Sequence, residues 1–336
     1  MKLEYLNNII IGGWQLAVGH SNNQTEGVKV IEAYYNAGFR TFDCADIYTG
    51  VEDTLGAFIR AHGMGAENIH IHTKYVPDMG SLVSLTKDDT EAIIDRSRAR
   101  LGLDKLDLVQ FHWWHYPTGN YLAALESLKT LKQAGKIRNI GLTNFDAQHV
   151  QEILDHDIPI ASIQSQYSLI DRRVASKLEP LLLNNNIALL CYGSVAGGLL
   201  SDAWLGKPEP QAPYENRSLV KYVLMVEEMG GWDALQSILE TLRSIADTHE
   251  SDIASIASTY CLHQPAAQAC IVGVRNTKHL EHHVQIRQGI QLSEGELTQL
   301  DNLRAQFKPI PGAVYELERD VGGQHGRIMK YNLNKD

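Results

Sequence analysis

Apolar runs of strand length recur along the chain and alternate with segments of helical periodicity. Eight such runs begin at residues 8, 39, 69, 106, 137, 161, 187 and 269. Between them, apolar residues three and four positions apart predict amphipathic helices, for example over residues 25–38, 86–102 and 121–135. Each of these three segments ends at a glycine, which suits the left-handed conformation that commonly closes a helix. The alternation predicts an α/β fold.

The spacing of the strands predicts a closed barrel. The first seven runs begin 24 to 37 residues apart, which is about the length of one strand–helix unit. Eight such units close a (β/α)8 TIM barrel, and continuous apolar runs are typical of its parallel strands, which are buried on both faces. We therefore expect a single barrel domain over residues 1–336.

Two segments exceed what eight units need. The eighth run begins 82 residues after the seventh, so we expect an insertion at about residues 199–232. Two helices are expected after it, over about 230–250 and 251–264, and the second is the better candidate for the seventh barrel helix. The last barrel helix is expected over 277–289. Beyond it, Ser293 and Glu296 have the spacing of a capping box and predict the start of a C-terminal helix. This helix and the tail that follows it are expected to occupy about residues 292–336. The length of the tail suggests a flap over the mouth of the barrel, the end where the strands terminate.

Composition and charge restrict the class of partner. The 336 residues carry 30 Lys and Arg against 40 Asp and Glu, a formal net charge of −10, which argues against a surface for nucleic acid. No apolar stretch is long enough to cross a bilayer, and the first residues lack the pattern of a secretory signal. We therefore expect a cytoplasmic protein without membrane contact. Composition and charge do not determine its oligomeric state. The cysteines are scattered without C-x-x-C spacing and are expected to be reduced, mostly buried thiols: Cys44, Cys191, Cys261 and Cys270.

Charged and protic residues at the ends of three neighbouring strands mark the candidate site. Asp43 ends the second strand, Lys74 the third and His112 the fourth, while Tyr48 lies in the loop after Asp43. The C-terminal ends of barrel strands converge on one mouth. Taken singly, each residue has a structural interpretation: a helix cap, a solvated lysine, a buried histidine and a packed aromatic ring.

The combination of the four residues points to chemistry on a carbonyl group. A buried lysine and aspartate at neighbouring strand ends can stabilise each other, and the ammonium group of Lys74 is expected to lower the pKa of Tyr48 from its usual value of about 10. A neutral His112 could donate a hydrogen bond to a substrate oxygen. Together these groups could protonate a carbonyl oxygen while a second reagent attacks the carbon.

The motifs around these residues resemble those of the aldo-keto reductase superfamily. Five motifs agree in order and spacing: FDCADIYTGVEDTLG (42–56), IHTK (71–74), LDLVQFHW (106–113), IRNIGLTNF (137–145) and QSQYSLIDR (164–172). The resemblance implies an oxidoreductase that interconverts a carbonyl compound, such as an aldehyde, ketone or sugar, and an alcohol. Hydride would come from a nicotinamide cofactor, NADPH or alternatively NADH. It also implies that Tyr48 is the proton donor, that Lys74 and Asp43 tune it, and that His112 orients the carbonyl group.

The same resemblance implies where the cofactor is held. Thr143, Asn144 and Gln164 resemble the groups that bind the nicotinamide carboxamide, although Asn144 could equally cap the following helix. Tyr192 stands where the family stacks an aromatic ring on the nicotinamide. Arg275 is the natural partner for a phosphate, beside a helix N-terminus near residues 276 and 277. The complete set of implied cofactor contacts is Gly13, Trp14, Asp43, Thr143, Asn144, Gln164, Tyr192, Gly193, Val195, Gly198, Leu199, Arg275, His279 and His283.

The sequence departs from the family pattern mainly at the adenosine end. Val274 stands where many members have a small hydroxyl residue, and Gly273, His279 and His283 stand where many have Lys, Arg and Asn. These departures weaken the inference of a preference for NADPH over NADH. His279, His282 and His283 share one helix face, but no carboxylate or thiolate cluster joins them with ligand spacing, so we expect no metal site.

Substrate contacts are expected from the aromatic residues around the catalytic groups. Trp14 and Trp113 follow the first and fourth strands, and with Tyr48 and His112 they are predicted to line the substrate site. Two other interpretations of the sequence stay open. The chain could be a nucleotide-binding, redox-sensing accessory subunit with little turnover, as the cytoplasmic β-subunits of some potassium channels are. It could also be an aldolase that forms a Schiff base on Lys74.

Overall fold

Eight parallel strands form a closed barrel in the computed structural model, which describes residues 3–18, 23–63, 69–214 and 217–334. The strands are β1 (Ile9–Gly12), β2 (Thr41–Asp43), β3 (His70–Tyr75), β4 (Leu106–Phe111), β5 (Ile137–Thr143), β6 (Ile160–Gln166), β7 (Ala188–Tyr192) and β8 (Ala267–Gly273). Each strand pairs with the next in sequence, and β8 pairs with β1. The predicted (β/α)8 TIM barrel is confirmed.

Helices surround the barrel and extend beyond it. In the described ranges they are α1 (Gln24–Asn36), α2 (Val51–Ala61), α3 (Lys87–Leu101), α4 (Tyr121–Gln133), α5 (Ala147–Asp155), α6 (Arg173–Asn184), α7 (Arg217–Met229), α8 (Trp232–Thr248), α9 (Ile253–Leu262), α10 (Leu280–Gln288), α11 (Glu294–Arg304) and α12 (Glu316–Arg319). Helices α1 to α6 each follow the strand of the same number. Apolar side chains from both layers fill the space between strands and helices as one large buried cluster.

Local sequence signals account for several helix boundaries. Thr86 and Asp89 form a reciprocal capping box at the start of α3, and Gly102 ends that helix with a left-handed φ of 70°. The predicted capping box of Ser293 and Glu296 is likewise present at the start of α11. The last barrel helix, α10, begins at Leu280 and not near residue 277 as predicted. The segment before it forms a turn, in which the Asn276 side chain accepts a hydrogen bond from the backbone of Lys278 at 2.9 Å.

The insertion before β8 contains one helix, α7, that was not predicted from the sequence. Helix α7 packs against α8 and against the short turn Ala196–Gly198 that follows β7. Helix α9 packs against β8, which makes it the seventh barrel helix, as predicted. Helix α8 lies between α9 and α11, outside the barrel layer. That the whole chain forms a single domain stays a prediction.

The four cysteines are buried free thiols, as predicted. No helix within residues 3–18, 23–63, 69–214 and 217–334 is long and apolar enough to span a membrane. The cytoplasmic location stays a prediction.

The C-terminal tail crosses the mouth of the barrel. Tyr315 has a left-handed φ of 60°, and its ring lies edge-on to the ring of His112 with centroids 5.5 Å apart. Nη2 of Arg319 donates a hydrogen bond to the carbonyl oxygen of Trp113 at 3.0 Å. The tail therefore supplies part of the wall around the residues at the end of β4.

A buried ion-pair network joins the tail to the insertion. Glu318 is fully buried, and its carboxylate accepts two hydrogen bonds of 3.1 Å from the guanidinium group of Arg173. Nζ of Lys221, on α7, lies 3.2 Å from the same carboxylate. Burial alone would raise the pKa of Glu318, but the two positive charges outweigh it and lower the pKa to about 2. Glu318 thus connects α12, α6 and α7.

Replacing Glu318 with glutamine is expected to lower the free energy of unfolding by about 3–5 kcal/mol, because the ammonium group of Lys221 is left buried without its carboxylate partner, whereas Arg173 keeps its ion pair with Asp171. The pKa of Glu318 is lower in the folded than in the unfolded chain. Its contribution is therefore fully present above about pH 4.5 and is lost as the pH falls toward 2. Urea titrations across this range test both points, with the exposed Glu240→Gln on α8 as the control. Equal stability of the two variants at pH 7 would contradict the expected role.

Candidate active site

A buried ion pair at the ends of β2 and β3 is the centre of the site. The Lys74 ammonium group contacts Oδ1 of Asp43 and donates a second hydrogen bond to the carbonyl oxygen of Cys44 at 2.8 Å. Burial alone would lower the pKa of Lys74, but Asp43 and Tyr48 outweigh it and raise the pKa. The amine therefore stays protonated at neutral pH. The predicted mutual stabilisation of Lys74 and Asp43 agrees with this geometry.

Two glutamine side chains hold the second carboxylate oxygen of Asp43. Oδ2 accepts from Nε2 of Gln110 at 2.8 Å and from Nε2 of Gln164 at 2.7 Å. Gln164 also donates to Oε1 of Gln110 at 2.8 Å. Gln110 was not among the predicted site residues, although its position indicates it: Gln110 lies two residues before His112, and alternate residues of a strand share a face.

Tyr48 lies in the loop between β2 and α2, beside the ion pair. Nζ of Lys74 is 4.7 Å from the centroid of its ring, and the ring of Trp14 packs edge-on at 4.9 Å. Burial raises the pKa of Tyr48, and the opposing effect of Lys74 only reduces the rise. The predicted fall in pKa is therefore wrong for this structure, because loss of solvation outweighs the adjacent positive charge. Tyr48 is a protonated phenol at neutral pH.

His112 is a buried neutral imidazole. Burial, followed by the charge of Arg319, lowers its pKa to about 3. Nδ1 lies 3.2 Å from the carbonyl oxygen of Thr143, which can only accept, so the neutral ring carries its proton on Nδ1. Nε2 is buried without a protein partner among the described residues and is therefore an acceptor. The expected hydrogen bond from neutral His112 to a carbonyl oxygen is not available in this tautomer; the ring can instead accept one from a hydroxyl group.

Trp113 does not line the site, contrary to the prediction. Its ring is fully buried beside Phe111 and Tyr121, and its Nε1 donates to backbone carbonyl groups of its own loop. The reason is strand alternation: His112 points to the barrel interior, so the next residue points outward to the helices. The next residue, Trp114, points back to the interior side, with its ring edge-on to His112 and the ring centroids 4.4 Å apart.

Polar groups at the ends of β5, β6 and β7 could hold a carboxamide. Tyr192 donates to Oδ1 of Asn144 at 2.8 Å, which leaves the amide hydrogens of Asn144 available. Both amide hydrogens of Gln164 are used within the site, which leaves its carbonyl oxygen available. The oxygen of a carboxamide needs a donor, which the Asn144 amide offers, and its NH₂ group needs an acceptor, which the Gln164 carbonyl oxygen offers. Asn144 and Gln164 therefore fit the predicted nicotinamide position. Asn144 is not a helix cap, since Asp146 caps α5 by accepting from the backbone of His149.

The loop after β7 packs closely against α7. Gly193 and Gly197 have positive φ, and a Cβ atom at either would meet the ring of Tyr222. Gly198, also with positive φ, has no atom within 4 Å of such a position, so its backbone is open to approach. The side chain of Leu199 is fully buried, whereas that of Val195 is half-buried.

Two further structural features bear on the predicted cofactor contacts. Lys221 of α7 lies over the ring of Tyr192, with Nζ 5.5 Å from its centroid. At β1, a Cβ atom on Gly13 would lie 2.7 Å from a methyl group of Val51 and 3.0 Å from the carbonyl oxygen of Asp43. Close packing of the β1 and β2 ends therefore accounts for this glycine.

The residues predicted to hold the adenosine end follow β8. Arg275 and His279 are exposed, and His283 is half-buried with Nδ1 2.9 Å from the hydroxyl group of Tyr34. Burial lowers the pKa of His283 to about 4, so the ring is neutral at pH 7. Nδ1 of His282 lies 3.4 Å from a carboxylate oxygen of Asp252. In the described part of the chain, no group of three or more His, Cys, Asp or Glu side chains could hold a metal ion.

Comparison with known proteins gives one family. Residues 8–305 match the model of the Aldo/keto reductase family. The chain is 28% identical over 243 residues to flagellar radial spoke protein 5 of Chlamydomonas reinhardtii, a match that covers 61% of this chain and 46% of that protein. It is 29% identical over 187 residues to the NADH-specific methylglyoxal reductase of Escherichia coli (strain K12), covering 52% of this chain and 56% of the relative. The chain thus spans about half the length of these two curated relatives.

A solved structure shows the same fold. The glycerol dehydrogenase of Gluconobacter oxydans superposes with a TM-score of 0.75 over 91% of this chain and 93% of that chain. The two sequences are 20% identical. This likeness extends the barrel assignment to nearly the whole chain, and the roles of the individual site residues stay predictions.

Proposed function

This chain belongs to the aldo/keto reductase family, and from that premise we propose that it interconverts a small carbonyl compound and the corresponding alcohol with a nicotinamide cofactor. The observation that carries the proposal is the buried ion pair of Lys74 and Asp43, with Tyr48 beside the ammonium group. His112 lies at the same mouth, at the end of the neighbouring strand. Together these residues place a proton donor (Tyr48), a fixed positive charge (Lys74) and a hydrogen-bond acceptor (His112) close to one another and away from bulk water.

Tyr48 is the proposed proton donor to the carbonyl oxygen during reduction. Its raised pKa keeps the phenol protonated, and Lys74 stabilises the phenolate that remains after transfer. Asp43 keeps Lys74 charged and in place. After the transfer, the hydroxyl group of the product alcohol can donate its hydrogen to Nε2 of His112 at the same mouth. In the oxidation of an alcohol, Tyr48 must first lose its own proton to solvent; the phenolate, stabilised by Lys74, then accepts the proton of the hydroxyl group.

The proposed nicotinamide site is at the ends of β5, β6 and β7. When bound, the nicotinamide would supply a hydride to the carbonyl carbon. Asn144 and Gln164 offer the carboxamide a donor and an acceptor, and the ring of Tyr192 offers an aromatic face. We propose NADPH as the main cofactor, with Arg275 at its 2′-phosphate. NADH is the alternative, which the NADH-specific relative supports.

Replacing Arg275 with alanine is expected to weaken the binding of NADPH by about 10- to 100-fold, the usual effect of losing a hydrogen bond to a charged group, and to leave the binding of NADH nearly unchanged. Fluorescence titration of each dinucleotide measures binding without turnover. The exposed Arg327 in the tail, changed to alanine, controls for the loss of one surface charge. Equal losses for the two dinucleotides would show that Arg275 does not contact the 2′-phosphate.

The reaction is tested by following nicotinamide absorbance with a panel of aldehydes, ketones, sugars and alcohols. Each compound is assayed with both dinucleotides and in both directions. We expect oxidation of the reduced cofactor by at least one carbonyl class, and the loss of that activity in Tyr48→Phe. Absence of cofactor-dependent turnover across the panel would contradict the proposal.

A second candidate function is an accessory subunit that binds the nucleotide with little turnover. The similarity to flagellar radial spoke protein 5, named for its place in an assembly, favours it. It predicts tight nucleotide binding, slow turnover of every compound and a stable complex of fixed stoichiometry with a partner protein. Stopped-flow single-turnover assays and pull-down from the source cell distinguish the two functions.

The Schiff-base alternative is disfavoured by the state of Lys74. A lysine nucleophile needs its free amine, whereas Asp43 keeps this amine protonated. Borohydride treatment in the presence of substrates is therefore expected to leave Lys74 unmodified.

A further inference from the structure

We propose that Arg319 binds a carboxylate group of the substrate, so that the favoured substrates are oxo acids and the corresponding hydroxy acids. The inference rests on the proposed function, because it concerns the substrate class of the same mouth. It makes Arg319, a residue of the C-terminal tail, a specificity determinant.

The tail places Arg319 beside Tyr315, whose ring contacts His112. Tyr315 adopts a left-handed φ of 60°, which is unusual for a bulky side chain and is characteristic of functional segments. Its ring contacts His112 on one side, and Cζ of Arg319 lies 5.3 Å from its centroid. Cζ of Arg319 is also 4.3 Å from the centroid of Tyr116. One aromatic ring of the tail thus touches both His112 and the guanidinium group.

The guanidinium group of Arg319 lacks acceptors. Nη2 donates to the carbonyl oxygen of Trp113, but Nε and Nη1 are buried and have no hydrogen-bond partner among the described residues. Charged donors that are buried without acceptors are costly, and aromatic faces compensate only in part. A carboxylate oxygen is the acceptor that forms the strongest hydrogen bonds with a guanidinium group. A substrate carboxylate would satisfy donors that the protein leaves unmet.

The nearby acidic side chains are bound elsewhere. Glu318, the preceding residue, is bound by Arg173, and Asp146 is hydrogen-bonded to His149. One guanidinium charge balances one carboxylate, whereas a phosphate dianion would leave excess negative charge in a partly desolvated mouth. This balance favours a carboxylate.

His112 supplies a second contact to the hydroxy acid, whose hydroxyl group carries a hydrogen to donate. Its Nε2 is an unpartnered acceptor at the same mouth. A hydroxy acid could therefore donate its hydroxyl hydrogen to His112 while its carboxylate accepts from Arg319. These two contacts hold the carbon that carries the hydroxyl group in a fixed orientation.

The test compares short oxo acids of increasing chain length with their methyl esters, which match them in size but carry no charge. We expect the parent protein to have a kcat/KM for at least one acid that exceeds that for its ester by about 10- to 100-fold. Arg319→Gln should remove this preference, because it should lower kcat/KM for the acid about 10- to 100-fold more than kcat/KM for the ester. Arg319→Lys should retain part of it, and Arg327→Gln, at an exposed tail position, should retain all of it.

Two outcomes overturn the inference. One is a parent protein without any preference for acids. The other is an equal loss for acid and ester in Arg319→Gln, which would show that Arg319 only positions the tail. If no carbonyl compound is turned over, the proposed function fails, and calorimetric binding of a hydroxy acid against its amide then decides the role of Arg319. Binding of the acid alone, lost in Arg319→Gln, would support the anchor; equal binding of acid and amide would overturn it.

Discussion

Tyr48→Phe is expected to lower kcat for carbonyl reduction by about 10²- to 10⁴-fold, the range over which a positioned general acid contributes. The change removes one hydroxyl group and keeps the ring, so the packing against Trp14 and the position of Lys74 should persist. Dinucleotide binding should therefore be unchanged. Steady-state kinetics and fluorescence titration of the same preparation separate the two effects.

The pH dependence gives a second test of the Tyr48 assignment. His112 has a pKa of about 3, and burial raises that of Tyr48. Neither group changes its charge between about pH 5 and 9, so the kcat of reduction should be nearly constant there.

The matched control for Tyr48→Phe is Tyr35→Phe, which removes a hydroxyl group from α1 outside the site and should keep the parent kcat. Reduction by Tyr48→Phe at the parent rate would show that another group donates the proton.

The barrel could be predicted because its signals are local. Strand spacing, helical periodicity and caps such as Gly102 and Ser293 each depend on a few neighbouring residues. Helix α7 was missed, although its apolar positions are periodic, because the segment before it is rich in proline and polar residues. The start of α10 was misplaced by a turn that depends on the side chain of Asn276.

The candidate site could be predicted only where strand ends determine it. Asp43, Lys74 and His112 end neighbouring strands, and the barrel topology alone brings them to one mouth. Trp113 was assigned to the wrong face, although the alternation of side chains along β4 contains the correct answer. The pKa of Tyr48 was misjudged because its burial depends on residues that are distant in sequence.

The contacts of the tail were beyond prediction for the same reason. Tyr315 reaches His112, and Glu318 reaches Arg173, across more than a hundred residues of sequence. No periodicity or short motif records such contacts. The residues that select the substrate are therefore less accessible to sequence analysis than those that carry out the reaction.

Lys74→Met is expected to produce the second large effect, a loss of both activity and stability. Without the ammonium group, Asp43 is left as a buried carboxylate held only by Gln110 and Gln164. The free energy of unfolding should fall by about 3–5 kcal/mol, the usual cost of removing one partner of a buried ion pair. The loss of kcat should be about 10²- to 10³-fold, because the phenolate of Tyr48 loses its preorganised positive neighbour.

The double variant Asp43→Asn/Lys74→Met separates the two roles of the pair. Removal of both charges leaves no uncompensated carboxylate, and neutral replacements of a buried ion pair are often as stable as the pair itself. Stability measured by urea unfolding should therefore recover toward that of the parent, while kcat should stay as low as in Lys74→Met. If activity recovered together with stability, Lys74 would have only a structural role, because the fold alone would then be enough for Tyr48 to act.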